Sequence, residues 1–129
     1  MKASHIKTLD KSIQRRVRLE EQVIRDIVKA ILPNVLYFKV YDGEEYSKRL
    51  TTWTEIKNEI HACDEERLII VFKPEAFDGV TSEKASLYLV YGNDGWDVVC
   101  DWSYRNDKVH DYLDPIITEA GDKAERKAE

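Results

Sequence analysis

Specialised chemistry leaves marks in a sequence, and this chain of 129 residues has few of them. It contains two cysteines, Cys63 and Cys100, too few and too far apart for a disulfide framework or a zinc pattern, which fits a reducing cytoplasm. No apolar run approaches the roughly 18 residues of a membrane span. The leading "MKASHIKTLDKS" lacks the apolar stretch of a secretory signal. There is no phosphate loop, and the glycines of "YGNDGWD" are wrongly spaced for a dinucleotide fingerprint. His61 and His110 are far apart, so a metal shell built with Cys63 would need coincidence. Asp97 and Asp101 would lie about 13 Å apart along a strand, too far for an acid–base pair acting across one bond. No catalytic, cofactor-binding or metal-binding residue is assigned, and no cofactor is expected.

What is present describes a charged, foldable domain. Hydrophobic residues make up 43% and charged residues 35%, and the length suits one α+β domain over residues 1–129 with a modest core. The net charge of −5 is unevenly spread. The first 19 residues hold Lys2, Lys7, Lys11, Arg15, Arg16 and Arg18 against Asp10 alone, a net +5, which leaves −10 on the remainder. Such a body repels phosphate backbones, so direct nucleic-acid binding is not expected. The basic leader reads as a solvated helix face.

Apolar residues at Ile6, Leu9, Ile13, Val17, Ile24, Ile27 and Ile31 follow a three-and-four spacing, which predicts a helix over about 10–32, stopped by Pro33-Asn34. The first half of this stripe is thin. Residues 1–14 are expected to project or to pair with another subunit, with Ile6, Leu9, Ile13 and Val17 as the candidate self-association stripe of a homodimer. "VLYFKVYD" alternates as a strand with one dry and one mixed face. Thr52 and Glu55 stand in capping-box relation ahead of a helix carrying Trp53, Ile56 and Ile60. "RLIIVFK" is apolar on both sides and reads as an interior strand covered on both faces. Its connection to the first strand through a helix leaves a parallel, right-handed pairing open. Pro115 is expected to begin the last helix with Asp114 as its N-cap or to kink one, a short turn followed by a helix from about 115 being the favoured reading, and residues 121–129 to form a charged tail. The order helix, strand, helix, three strands, helix implies α+β architecture: a long N-terminal helix on a mostly antiparallel four-stranded sheet.

"YLVYGNDGWDVVCDW", Tyr88–Trp102, reads as a hairpin turning at residues 92–95. Parity then pairs Leu89 with Cys100 on the dry side and sends Tyr88, Asp97 and Asp101 to the other. Tyr37, Lys39 and Tyr41 join that side if their strand turns its mixed face the same way. These six residues, Tyr37, Lys39, Tyr41, Tyr88, Asp97 and Asp101, form the candidate partner surface, because tyrosine beside charge suits an interface.

The segments "VYDGEEY", "CDEERLIIV" and "GNDGWDVVCDWS" resemble those of small uncharacterised α+β proteins carried by phages, prophages and other mobile elements, over about residues 35–105. The resemblance implies a compact accessory protein and lends no catalytic residues. The expected function is that of a small cytoplasmic accessory protein that docks an unidentified, possibly basic, protein partner through an acidic, Tyr-rich surface, without catalysis. The alternative is a ligand-binding cup or small enzyme with a pocket lined by Trp53, Trp96, Trp102, Tyr91 and Phe72.

Overall fold

The computed structural model describes residues 1–129. The helices are α1 (Ala3–Ile6), α2 (Lys11–Ile31), α3 (Trp53–Glu59) and α4 (Asp107–Ala128), and the strands β1 (Val35–Tyr41), β2 (Glu65–Phe72), β3 (Lys84–Val90) and β4 (Val99–Tyr104). This is the α+β order expected. Asp10 caps α2, its carboxylate accepting from Ser12 N (3.1 Å) and Ile13 N (3.2 Å), which satisfies donors that the helix itself leaves free. Thr52 caps α3 in the same way, accepting from Glu55 N at 3.2 Å. No helix is long and apolar enough to cross a membrane.

The strands lie in the order β1-β2-β3-β4, and all neighbours are antiparallel. The parallel pairing left open for β1 and β2 does not occur, although α3 lies between them in the chain. Phe38 and Val40, Leu68, Ile70 and Phe72, and Leu87 and Leu89 form one face, and they are buried. Val23, Ile24, Ile27, Val28 and Ile31 from α2, with Val109, Leu113, Ile117, Ala120 and Ala124 from α4, cover it. Each large side chain so buried contributes about 1.5–3 kcal/mol. The opposite face carries Tyr37, Lys39, Arg67, Ile69, Lys84, Ser86, Tyr88 and Asp101 in register, and no helix covers it. β2 is interior as expected, but no helix covers its second side, where Val71 is buried and Ile69 half-buried among neighbouring side chains.

Three local expectations are corrected. α4 starts at Asp107, capped by Asn106 accepting from Lys108 N (2.9 Å), and runs through Pro115. Its buried stripe is continuous across that proline, and the carbonyl the proline leaves without a donor is that of Asp111, on an exposed turn. The supposed tail is helical to Ala128, with Ala124 fully buried. The N-terminal segment does not project. The Met1 ammonium donates to the carbonyls of Lys57 and Ile60, the latter at 2.7 Å. Ile6 and Val17 are buried within the chain, and Leu9 and Ile13 are half-buried.

The hairpin is the third correction. The strands stop at Val90 and resume at Val99, and the segment between them leans on α2 instead of making a tight turn. Leu87 pairs with Trp102 and Tyr88 with Asp101, but Leu89 pairs with Val99, so a bulge leaves Cys100 exposed, off the dry face. The buried residue at this point is Val98, whose carbonyl accepts from Val90 N at 2.9 Å. Asp97 lies in the loop, where its carboxylate accepts from Gly95 N at 3.2 Å. Gly95 has φ +104°, and a Cβ there would sit 2.9 Å from Leu19 Cβ. Gly95→Ala should therefore cost about 1–3 kcal/mol, and Cys100→Ser within about 0.5 kcal/mol of zero, both read by urea denaturation. Equal midpoints for the two variants would contradict this placement of the loop.

Candidate functional site

Of the six candidate surface residues, the structure brings all but Asp97 onto the uncovered face. Tyr41, Arg67, Tyr88 and Asp101 form one row across the strands, and Lys39 leads the next. Cations and rings interleave: the Arg49 guanidinium lies 4.4 Å from the Tyr37 ring centre and that of Arg67 4.9 Å from Tyr88. Tyr41 and Tyr46 rings are 4.5 Å apart, and Tyr46 is 61% exposed. The Tyr88 hydroxyl donates to Glu65, which together with desolvation pushes its ionisation up. The face itself is of mixed charge, with Lys39, Arg67 and Lys84 among its strand residues beside Glu65 and Asp101. The acids gather at one end. Desolvation, then Asp42, Glu66, Asp64 and Glu44, push the Cys63 thiol up, so those carboxylates converge there and leave Cys63 a poor nucleophile.

Behind that end lies a buried polar cluster that the sequence reading missed. Glu20, Glu21 and Glu66 are buried. Glu66, from β2, accepts from the backbone N–H groups of His61 (2.9 Å) and Ala62 (3.0 Å) and from the Tyr91 hydroxyl (2.5 Å). Glu20, from α2, contacts His61 Nε2 (3.0 Å) and accepts from Gly92 N (2.9 Å), with Arg16 Nε at 3.8 Å. The His61 ring stacks on Tyr91 at 4.1 Å, and its backbone is left-handed, φ +65°. A buried carboxylate without donors is costly. Two of the three hold a loop, Glu66 the α3–β2 turn and Glu20 the β3–β4 segment, while Glu21 Oε2 is buried without a hydrogen-bond partner. The Met1 ammonium completes the surroundings; burial lowers its ionisation while Glu21 and Glu66 oppose that shift.

The Glu20–His61 contact has the form of a base and its orienting group. His61 Nδ1, however, is buried and has no hydrogen-bond partner, so no nucleophile stands within reach of it. No group of three or more His, Cys, Asp or Glu is placed to hold a metal ion. The five aromatic residues of the supposed cup do not line a common cavity: Phe72 is fully buried, and Trp53, Trp96, Trp102 and Tyr91 pack against the core. Trp53 borders a small polar cleft with Arg18, Glu21 and Lys57, and a groove of about 1130 Å³ lies at the far end of the open face, bordered by Lys84, Ser86, Ser103 and Arg105.

Burial, the Glu66 charge and its hydrogen bond all raise the Tyr91 pKa above that of a free phenol and so hold the hydroxyl protonated. A group held protonated by the fold stabilises fully below its unfolded pKa of about 10 and less as pH rises beyond it. Tyr91→Phe should cost about 1–3 kcal/mol at neutral pH, because Glu66 loses a donor, and should flatten the loss of stability above about pH 10. Melting temperatures across that range check it, and parallel curves for the two proteins would refute it. No protein-family model, no curated protein and no solved structure matches the chain.

Proposed function

We propose that this protein is a non-catalytic binding module that docks a basic protein partner on the acidic, tyrosine-bearing end of its open sheet face. The observation that carries the reading is the row Tyr41–Arg67–Tyr88–Asp101 on a face no helix covers. Tyrosines held in place by cations and by each other lose little side-chain freedom on binding, which favours them as contact residues. Tyr46 packs against Tyr41 and has the Lys39 ammonium 5.9 Å from its ring, while Glu65 on the Tyr88 hydroxyl and the acids that act on Cys63 supply the negative charge that steers a basic partner. The rigid support is the buried cluster, which ties the loops at this end to α2. Both cysteines are free, which suits a reducing cytoplasm as its place of work. The picture is that of an accessory protein, as the resemblance to small mobile-element proteins implied.

The test compares three immobilised proteins in native extract: the unchanged chain, a Tyr41→Ala/Tyr88→Ala variant, and Lys29→Ala on the exposed side of α2. A protein retained by the first and third, lost from the second and released by moderate salt supports the proposal. Retention indifferent to the tyrosines and to salt contradicts it, as does recovery of nucleic acid in place of protein.

A further inference from the structure

The two edges of the sheet are finished differently. Along β1 the outward backbone groups are closed from within the chain. Phe38 and Leu50 exchange both bonds at 2.7 Å, Val40 N–H donates to Ser47 Oγ (2.9 Å), and the Val40 carbonyl accepts from Ser47 N (2.8 Å). β4 has no such strap. Residues of an antiparallel ladder alternate between bonding one neighbour and the other. The bond from Phe72 N to the Glu83 carbonyl, 2.8 Å, sets the phase. Ala85 and Leu87 then bond toward β2, and Ser86 and Tyr88 toward β4. Their partners Ser103 and Asp101 point inward, so Trp102 and Tyr104 present their backbone groups to the outside. Trp102 N–H agrees: it donates to the side chain of Asp101 at 2.8 Å and not to β3.

We propose that β4 pairs antiparallel with β4 of a second copy, about a two-fold axis through Ser103, joining two four-stranded sheets into one. Charge selects this register. Trp102 then faces Tyr104 of the second copy, so outward donors meet outward acceptors, and aromatic side chains meet on the dry side. Asp101 faces Arg105 of the second copy. Arg105 makes no ion pair within its own chain, and it borders the same groove as Ser103 on the open face. Shifting the axis to Tyr104 would set Asp101 against Asp107, a like-charge pair, and shifting it to Trp102 would set Asp101 against Ser103 and strand Arg105. Pairing also exchanges contacts: the Tyr104 carbonyl of the second copy takes over Trp102 N–H, and the freed Asp101 carboxylate turns to Arg105.

Because Ser103 points inward, it meets its own copy as a non-hydrogen-bonded pair, with Cα atoms about 4.5 Å apart, inside the range of about 4.4–6.8 Å that a disulfide spans. The test is Ser103→Cys in a Cys63→Ser/Cys100→Ser background, with Lys84→Cys in the same background as a control on the same face but off the axis. Mild oxidation should convert the first to a covalent dimer at concentrations where the control stays monomeric. By sedimentation the unchanged chain should dimerise at high micromolar concentration. Asp101→Arg and Arg105→Asp alone should each weaken the dimer about tenfold or more, and the two together should restore it. Cross-linking no faster than the control, a monomeric unchanged chain, or a double variant as weak as the singles would overturn the proposal. These readouts weigh the protein alone, so they stand or fall apart from partner docking.

Discussion

A carboxylate in the dry face of a sheet is a constraint around which other parts must be arranged. Glu66 occupies the position that alternation assigns to an apolar residue, in line with Leu68, Ile70 and Phe72, and beside Leu89 across the ladder. Its charge is tolerable only with donors around it. The His61 and Ala62 amides and the Tyr91 hydroxyl supply them, and supplying them dictates the path of the chain. The α3–β2 turn must bend back, with His61 at positive φ. The chain after β3 must bring Tyr91 inward, and so cannot close into a tight hairpin. Glu20 repeats the device from the α2 side, on His61 and the Gly92 amide. Two acids thereby fasten both connections at one end of the sheet to the long helix.

Much of this architecture was legible from periodicity, because apolar spacing is repeated many times and single exceptions do not erase it. The element order and the shared outer side of Tyr37, Lys39, Tyr41 and Tyr88 follow from such patterns, and the Thr52 cap from its capping box, whereas the sequence reading missed the Asp10 cap. The failures sit where one residue broke a pattern for a long-range reason. The three-and-four spacing that runs through Val17, Ile24, Ile27 and Ile31 also passes through Glu20, and the alternation of β2 passes through Glu66. Those misplaced acids were the signal of the buried cluster. The Tyr91 hydroxyl and the Gly92 amide are distant in sequence from the acids they serve, and the nearby His61 and Ala62 amides reach Glu66 only because the turn bends back, so nothing in the apolar spacing reveals them. The turn at Asp94-Gly95 obeyed short-range rules, but Glu20 and the close contact of Gly95 with Leu19 pulled the loop onto α2. The resulting bulge moved Cys100 from the expected inside to the outside. Pro115 misled in the same sense: a local breaker lost to a stripe that packs on both sides of it.

The one-sided covering of the sheet organises the functional reading. Both helices spend their apolar faces on the same side, so the other side is left with residues that satisfy themselves laterally, ring on cation and hydroxyl on carboxylate. That surface has its side chains engaged laterally without a helix over them, and the proposed docking rests on this feature. Asp42, Glu44, Asp64 and Glu66 act together on the Cys63 thiol, near the end where the buried acids hold the loops.

The central claim is that two buried carboxylates pin these loops, and amide hydrogen exchange reads it most directly. The amides of His61, Ala62 and Gly92 lie outside the strands, yet each donates to a buried carboxylate. In the unchanged protein they should exchange as slowly as the amides of the β2–β3 ladder, opening only with the global transition. Exchange at the rate of free loop amides, with the ladder still protected, would contradict the account.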